Sequence, residues 1–260
     1  MNVVKGYDLL GNIAVVKFHR SANIKDKKKE ALRILKTHKN TRTVLEKSDK
    51  IKGRLRVQKT KWILGEKTKE ALYKENGCEF RFNVDSCYFS PRLSGDRIEI
   101  AKSIRKKENI LVMFGGVAPY AIVAAKIAKP LNVVSVELGR ECNKYAQDNI
   151  KRNKVDDKVK VIQGDVRKIL PNIKEKFDRI VMTRPNLEDS FLDVAFSKIG
   201  KGGRIHYYGF YSENESGKLK ELINREAENA GKRIKIIRVK KAGDIGVRKF
   251  RYRVDIFVLN

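Results

Sequence analysis

Two carboxylates and a glycine pair, each at the end of an apolar run, are the residues of this chain best placed to do chemistry. Gly115-Gly116 follow Ile110-Leu111-Val112-Met113-Phe114, Glu137 closes Val133-Val134-Ser135-Val136, and Gly164-Asp165 follow an apolar run over 159–163. A glycine turn lets a ligand approach the backbone where a helix begins, although alone it is as often only a tight βα connection. A carboxylate at the next strand end supplies what a ribose diol needs, an acceptor for two hydroxyl hydrogen bonds. Asp165 has two readings that the sequence leaves open: facing an adenine edge, or N-capping a helix over 166–170. A further run, Phe177-Asp178-Arg179-Ile180-Val181-Met182, leads straight into Thr183-Arg184-Pro185-Asn186. In open α/β sheets the ligand crevice lies beyond the carboxyl ends of the strands, so a rigid Pro-containing turn there is placed to grip a flat substrate. That order points to a methyl-donor site.

The elements that must position these residues follow from periodicity. Strands are predicted at 13–19 and 43–46 and an amphipathic basic helix at 24–36, giving a small α+β beginning. A bridging helix at 98–107 comes next. Strands at 110–114, 133–137 and 159–163 then alternate with helices at 119–128 and 140–153, a pattern that predicts a mostly parallel sheet covered on both faces. After Gly203 the order is strand, helix at 218–230, strand at 234–239 and a last strand at 251–258. A Rossmann-like class I methyltransferase sheet of seven strands, one reversed, accounts for this better than a dehydrogenase would. The expected division is a small α+β, RNA-binding domain over 1–97 and a methyltransferase domain over 98–260.

Composition limits the partners. The 260 residues hold 59 Lys+Arg against 31 Asp+Glu, a formal charge of +28. A thermophilic bias would raise Glu along with Lys, and Glu has not kept pace, so the excess reads as the footprint of a polyanion, with nucleic acid first. Residues 1–108 carry 28 basic and 13 acidic residues against 31 and 18 in the remainder, so the shorter part is the more densely basic. No run of eighteen apolar residues and no signal-peptide core exists, which predicts a soluble, cytoplasmic protein without membrane contact. Cys78, Cys87 and Cys142 match neither a disulfide framework nor a zinc spacing, so buried thiols and no metal are expected.

Several longer strings are specific. Glu75-Asn76-Gly77-Cys78, Tyr88-Phe89-Ser90-Pro91-Arg92-Leu93-Ser94-Gly95-Asp96-Arg97, Met113-Phe114-Gly115-Gly116-Val117 and Gly202-Gly203-Arg204-Ile205-His206-Tyr207-Tyr208 resemble the archaeal and eukaryotic tRNA (guanine-N1)-methyltransferases that modify the purine 3′ of the anticodon. The likeness covers nearly the whole chain. The opening, Tyr7-Asp8-Leu9-Leu10-Gly11-Asn12, is similar to the start of that family's middle domain, which implies that its tRNA-elbow domain is absent.

The resemblance implies S-adenosylmethionine as cofactor, the tRNA anticodon stem-loop as partner and a monomer. It places the donor against Phe114, Gly115, Gly116, Val117, Glu137 and Asp165. It makes Arg56, in Gly53-Arg54-Leu55-Arg56, the guanine-contacting cation, and Asp96 the general base, where the family has glutamate. It matches Thr183-Arg184-Pro185 to the family's Asn-containing loop, with Thr183 and Pro185 positioning the base. The chain departs from the family at Val112, Ala118 and Thr183, where an Asp, a Gly and an Asn are expected.

Tyr88 and Phe89 suit stacking on a flipped base, but an aromatic pair at such a junction is more often core, and His206 reads as a satisfied core histidine. Two other functions fit less well. The aminocarboxypropyl transferases of wyosine synthesis use another carbon of the same donor, but Ser90-Pro91-Arg92-Leu93 and His206-Tyr207-Tyr208 favour the methyltransferase branch. A non-catalytic RNA-binding protein on a methyltransferase fold would account for Val112, Ala118 and Thr183.

Overall fold

The computed structural model describes residues 3–48, 57–184, 188–246 and 248–260. Arg56 and Pro185, with Asn186, lie outside the described residues.

The chain begins with β1 (Val4–Leu10), β2 (Ile13–Phe18), α1 (Ile24–Thr37), β3 (Thr43–Lys47) and β4 (Thr60–Gly65). These strands form a sheet in chain order, with β2 and β3 parallel across α1. Asn23 caps α1 by accepting from the Asp26 amide at 2.9 Å. Strand alternation divides the burial: Ala14, Val16 and Phe18 pack with Ala31 and Ile34 of α1, while Ile13 and Val15 face the rest of the molecule.

A hairpin follows, β5 (Glu70–Glu75) and β6 (Cys78–Asn83). No strand is expected there from periodicity. Its signal is Asn76-Gly77 between alternating residues, and both adopt positive φ, 49° and 71°, as a two-residue I′ turn requires. Its far edge is covered by a helix, α4 (Arg140–Arg152). Asn149 exchanges two bonds with the backbone of Arg81, at 2.8 and 3.1 Å, and Asn153, just past the helix end, does the same with Glu79, at 2.9 and 2.7 Å. Two amides one turn apart thus replace a neighbouring strand on an otherwise open edge.

A 3₁₀ turn at Pro91–Leu93 leads into α2 (Ser94–Ser103), four residues earlier than the bridging helix expected at 98–107. The helix runs unbroken across residues 97 and 98, and Leu10, Ile13 and Val15 share one core with Phe80, Phe82 and Ile100.

The remaining strands are β7 (Asn109–Met113), β8 (Asn132–Glu137), β9 (Val159–Gln163), β10 (Phe177–Met182), β11 (Ile199–Ser212), β12 (Ile234–Gly246) and β13 (Lys249–Val258). With α4 the helices are α3 (Pro119–Ala128), α5 (Val166–Ile169), α6 (Leu192–Lys198) and α7 (Ser216–Asn229). The sheet order is β12-β13-β11-β10-β7-β8-β9. Only β13 runs against its neighbours, pairing antiparallel with both β11 and β12, so the expected sheet of seven strands with one reversed is present. Leu111, Met113, Ile180, Met182, Ile205, Tyr207 and Val254 fill one face under α6 and α7. On the other face lie α2, α3 and α4.

Candidate active site

The carboxyl ends of β7, β8, β9 and β10 open into a cleft enclosing about 1030 Å³, open solvent included. Phe114, Gly115, Gly116, Glu137, Asp165 and Thr183 all line it. Six of the expected site residues are therefore brought to one place.

The donor half is built by the turn between β7 and α3. Phe114, Gly116 and Ala118 alternate in the left-handed region at φ 63°, 57° and 64°, and only one of them is the glycine that tolerates it without cost. Gly115 has no room for a side chain, since a Cβ would stand 2.1 Å from Ser135 Oγ. Glu137 holds the turn, accepting the Gly116 amide on Oε2 at 2.7 Å and the Gly139 amide on Oε1 at 2.6 Å. Burial pushes its carboxyl up, against the pull of the amides of Gly139, Gly116 and Leu138. With three amides on four lone pairs, the carboxylate keeps one for a ribose hydroxyl. The amides, by contrast, are spent on the protein: Gly115 N–H bonds Val136 O and Ala118 N–H bonds Gly115 O, each at 2.9 Å. Asp165 N-caps α5, accepting from the Arg167 amide at 2.9 Å, and also lines the cleft.

Val117 is the expected donor contact that is not brought to the cleft lining. It is fully buried, does not line the cleft, and its carbonyl accepts from Asn149 Nδ2 at 3.3 Å, which makes it core that anchors α4. Val112 is core as well, between Ser135 and Val181 on the neighbouring strands.

In the acceptor half, Thr183 Oγ1 donates to Phe114 O at 2.8 Å, strapping the end of β10 to the donor turn. Its hydroxyl proton is thereby committed, which leaves a lone pair and the backbone carbonyl to face a base. Asp96 is buried and does not line the cleft. Its Oδ1 accepts from Arg253 at 2.6 Å, and its Oδ2 accepts from Tyr120 at 2.8 Å and from Tyr208. Both tyrosines line the cleft. Arg253 also bonds Glu99 at 2.5 Å and Asp255 at 2.9 Å, and His206 joins Asp255 to Arg179, each at 2.7 Å. Burial holds His206 below its usual value. Burial works against the Asp255 charge too, yet His206 and Arg253 outweigh it and bring that carboxyl down to about 2. His206 is thus the satisfied core histidine expected.

The aromatic pair divides. Both line the cleft, but Phe89 is buried with its ring 4.8 Å from that of Phe82, whereas the Tyr88 hydroxyl accepts from Arg251 at 3.3 Å. Arg97 cannot reach out to a phosphate, because it is buried in a two-pronged pair with Glu75. Tyr120, Tyr208, Arg251 and Arg253 escaped the sequence argument. The one signal for the two arginines is the alternation Arg251-Tyr252-Arg253-Val254-Asp255-Ile256, which normally marks a strand with a solvated face; here Arg251 and Arg253 are buried. The three cysteines are free and buried, and among the described residues no group of His, Cys, Asp and Glu is placed to hold a metal. No helix of the described residues is long and apolar enough to cross a membrane.

Strand order and cleft together define a Rossmann-like, S-adenosylmethionine-dependent methyltransferase. Residues 71–242 match the TRM5/TYW2 methyltransferase domain, and residues 1–68 match the TYW2 N-terminal domain. The chain belongs to the TRM5/TYW2 methyltransferase family. It is 34% identical over 254 residues to the tRNA (guanine(37)-N(1))-methyltransferase Trm5b of Pyrococcus abyssi, covering 97% of this chain and 74% of the relative. It is 33% identical to the tRNA (guanine(37)-N(1))/4-demethylwyosine(37)-methyltransferase Taw22 of Nanoarchaeum equitans, covering 97% and 99%. A solved complex of aTrm5 with tRNALeu superposes with a TM-score of 0.86 at 25% identity, over 99% of this chain and 73% of that one.

Proposed function

We propose that this protein transfers a methyl group from S-adenosylmethionine to N1 of the guanine next to the anticodon on its 3′ side, in the cytoplasm. The observation that carries the reading is the position of a buried carboxylate, Asp96, behind two phenols that line the donor cleft.

Guanine N1 bears a proton and a poor lone pair, so its methylation needs a group that takes the proton and a cation beside O6, where charge develops. The chain has room and groups for the donor: Glu137 for the ribose, Gly115 and Gly116 where a side chain would obstruct, and Asp165 for the adenine edge. S-adenosylmethionine, when bound there, supplies the methyl group on a sulfonium. Asp96 is the proton acceptor. Arg56 is assigned to O6 by resemblance, and Arg251 is a second cation of the cleft. Thr183 and Pro185 begin the loop that positions the base. We assign the first tRNA phosphates to the densely basic unit over 1–97, acting with the methyltransferase unit over 98–260.

The test is methylation of unmodified tRNA transcript with labelled donor, followed by digestion to nucleosides. The expected product is 1-methylguanosine from the position 3′ of the anticodon, lost when that guanine is replaced. Donor binding without transfer would defeat the proposal. The relationship to Taw22 over 99% of its length supports 4-demethylwyosine as a second substrate, to be offered in the same assay.

A further inference from the structure

The base assigned above does not touch the space its substrate would occupy. Asp96 is a buried residue of the first turn of α2, and the groups facing it are fixed: Tyr120 from α3, Tyr208 from β11 and Arg253 from β13, while Arg97 on its own helix is committed to Glu75. Tyr120 and Tyr208 line the cleft and Asp96 does not, so the polar route between cleft and carboxylate runs through a phenol. The two hydroxyls lie 3.1 Å apart and converge on the same oxygen, Asp96 Oδ2. Strand register separates them. Tyr207 pairs with Met182, so Tyr208 stands level with Thr183, where the acceptor loop starts, whereas Tyr120 is the second residue of α3 on the donor side.

From this geometry we infer that Tyr208 is a further catalytic residue, the group that receives the guanine N1 proton and passes its own hydroxyl proton to Asp96. The inference rests on the proposed guanine-N1 methyl transfer. The N1–H bond breaks as a new Oη–H bond forms, and the old Oη–H bond breaks as Asp96 Oδ2 takes that proton. Tyr208 ends neutral, Asp96 ends protonated, and the electron pair left on N1 forms the bond to the methyl carbon as that carbon's bond to the donor's sulfonium sulfur breaks, its pair staying on sulfur in the neutral thioether that leaves. Burial, then the neighbouring Tyr120 and Asp96, pushes the Tyr208 hydroxyl well above its usual range, and burial, then Asp96, does the same for Tyr120. Neither phenol ionises alone near neutrality. Each can carry a proton onward only if a carboxylate accepts it.

The test is single-turnover methylation of tRNA in mixtures of light and heavy water. Wild type should show a curved dependence on deuterium content, the signature of two protons in flight. Tyr208→Phe, which removes one oxygen, should be slower by roughly two to three orders of magnitude and lose the curvature. Tyr120→Phe should stay within about tenfold and keep it. Calorimetric donor binding and thermal melting show that each variant is folded. A wild-type rate in Tyr208→Phe, a slow Tyr208→Phe with unchanged curvature, a linear wild-type dependence, or a larger loss in Tyr120→Phe would each overturn the relay. Wild type that yields no 1-methylguanosine would instead defeat the functional reading on which the relay rests.

Discussion

The two faces of the large sheet are made of different material. Under α6 and α7 the strands present Leu111, Met113, Ile180, Met182, Ile205, Tyr207, Val254 and Ile256, all buried and apolar. On the opposite face the same strands β10, β11 and β13 present Arg179, His206, Tyr208, Arg251, Arg253 and Asp255, and α2 covers them with Asp96 and Glu99. A doubly wound sheet needs both faces covered, and apolar packing is the economical way. An ionic face is costly to desolvate and is seldom the more stable choice, so its presence beside the cleft signals chemistry. The first face is apolar along all of these strands, whereas the second joins an apolar core around Ile110, Val112 and Val181 to the ionic cluster that we propose moves the proton.

That contrast can be broken from either side. Arg253→Met should have the largest effect, because Asp96, Glu99 and Asp255 would lose their shared cation; a loss of about 3–5 kcal/mol in denaturant unfolding is expected, together with a slower chemical step. Phe196→Ala on the apolar face should cost a similar 3–5 kcal/mol in stability while leaving the single-turnover rate of the folded fraction unchanged. Equal kinetic damage from both would erase the distinction between the faces. Glu137→Ala should weaken donor binding by about 10- to 100-fold, since it removes both the ribose acceptor and the clasp on the Gly116 amide. Titration calorimetry measures this, and an unchanged affinity would show that the ribose assignment is wrong.

The smallest effect is on pH dependence. His206 has a lowered pKa in the fold, so the unfolded chain binds the extra proton first; stability should fall as pH drops below about 6.5, by up to ~1.4 kcal/mol per pH unit for one proton. Asp255, held at about 2, is also lowered, so its contribution is complete above the usual value of 3.8 and is lost as pH falls toward 2. Urea midpoints at pH 7, 5.5 and 4 should show the first loss, and His206→Gln should flatten it.

The sequence was most legible where a side chain's role depends on its place along one strand. Glu137 ends its strand, and Asp165, Gly115 and Gly116 follow theirs within three residues, so periodicity alone brought four cleft residues together. Val117 is placed apart from them because the turn after β7 reverses direction within a few residues and sends that side chain into the core. The hairpin β5–β6 was passed over although Asn76-Gly77 announces it, since its charged alternate residues hide the buried ones. Tyr208 and Arg253 were beyond reach for another reason. Alternating charge on β13 looks like a solvated face until α2, more than a hundred residues away in sequence, supplies the carboxylates that bury it.

Single-turnover methylation of tRNA by Asp96 variants tests the central claim most directly. Asp96→Asn keeps the size of the side chain and removes the proton acceptor, and it should slow the step by roughly two to four orders of magnitude while donor binding persists. Asp96→Glu restores the family's residue and should retain much of the activity. Wild-type rate and wild-type pH dependence in Asp96→Asn would contradict the account, because the proton would then leave by a route that does not use the ionic face.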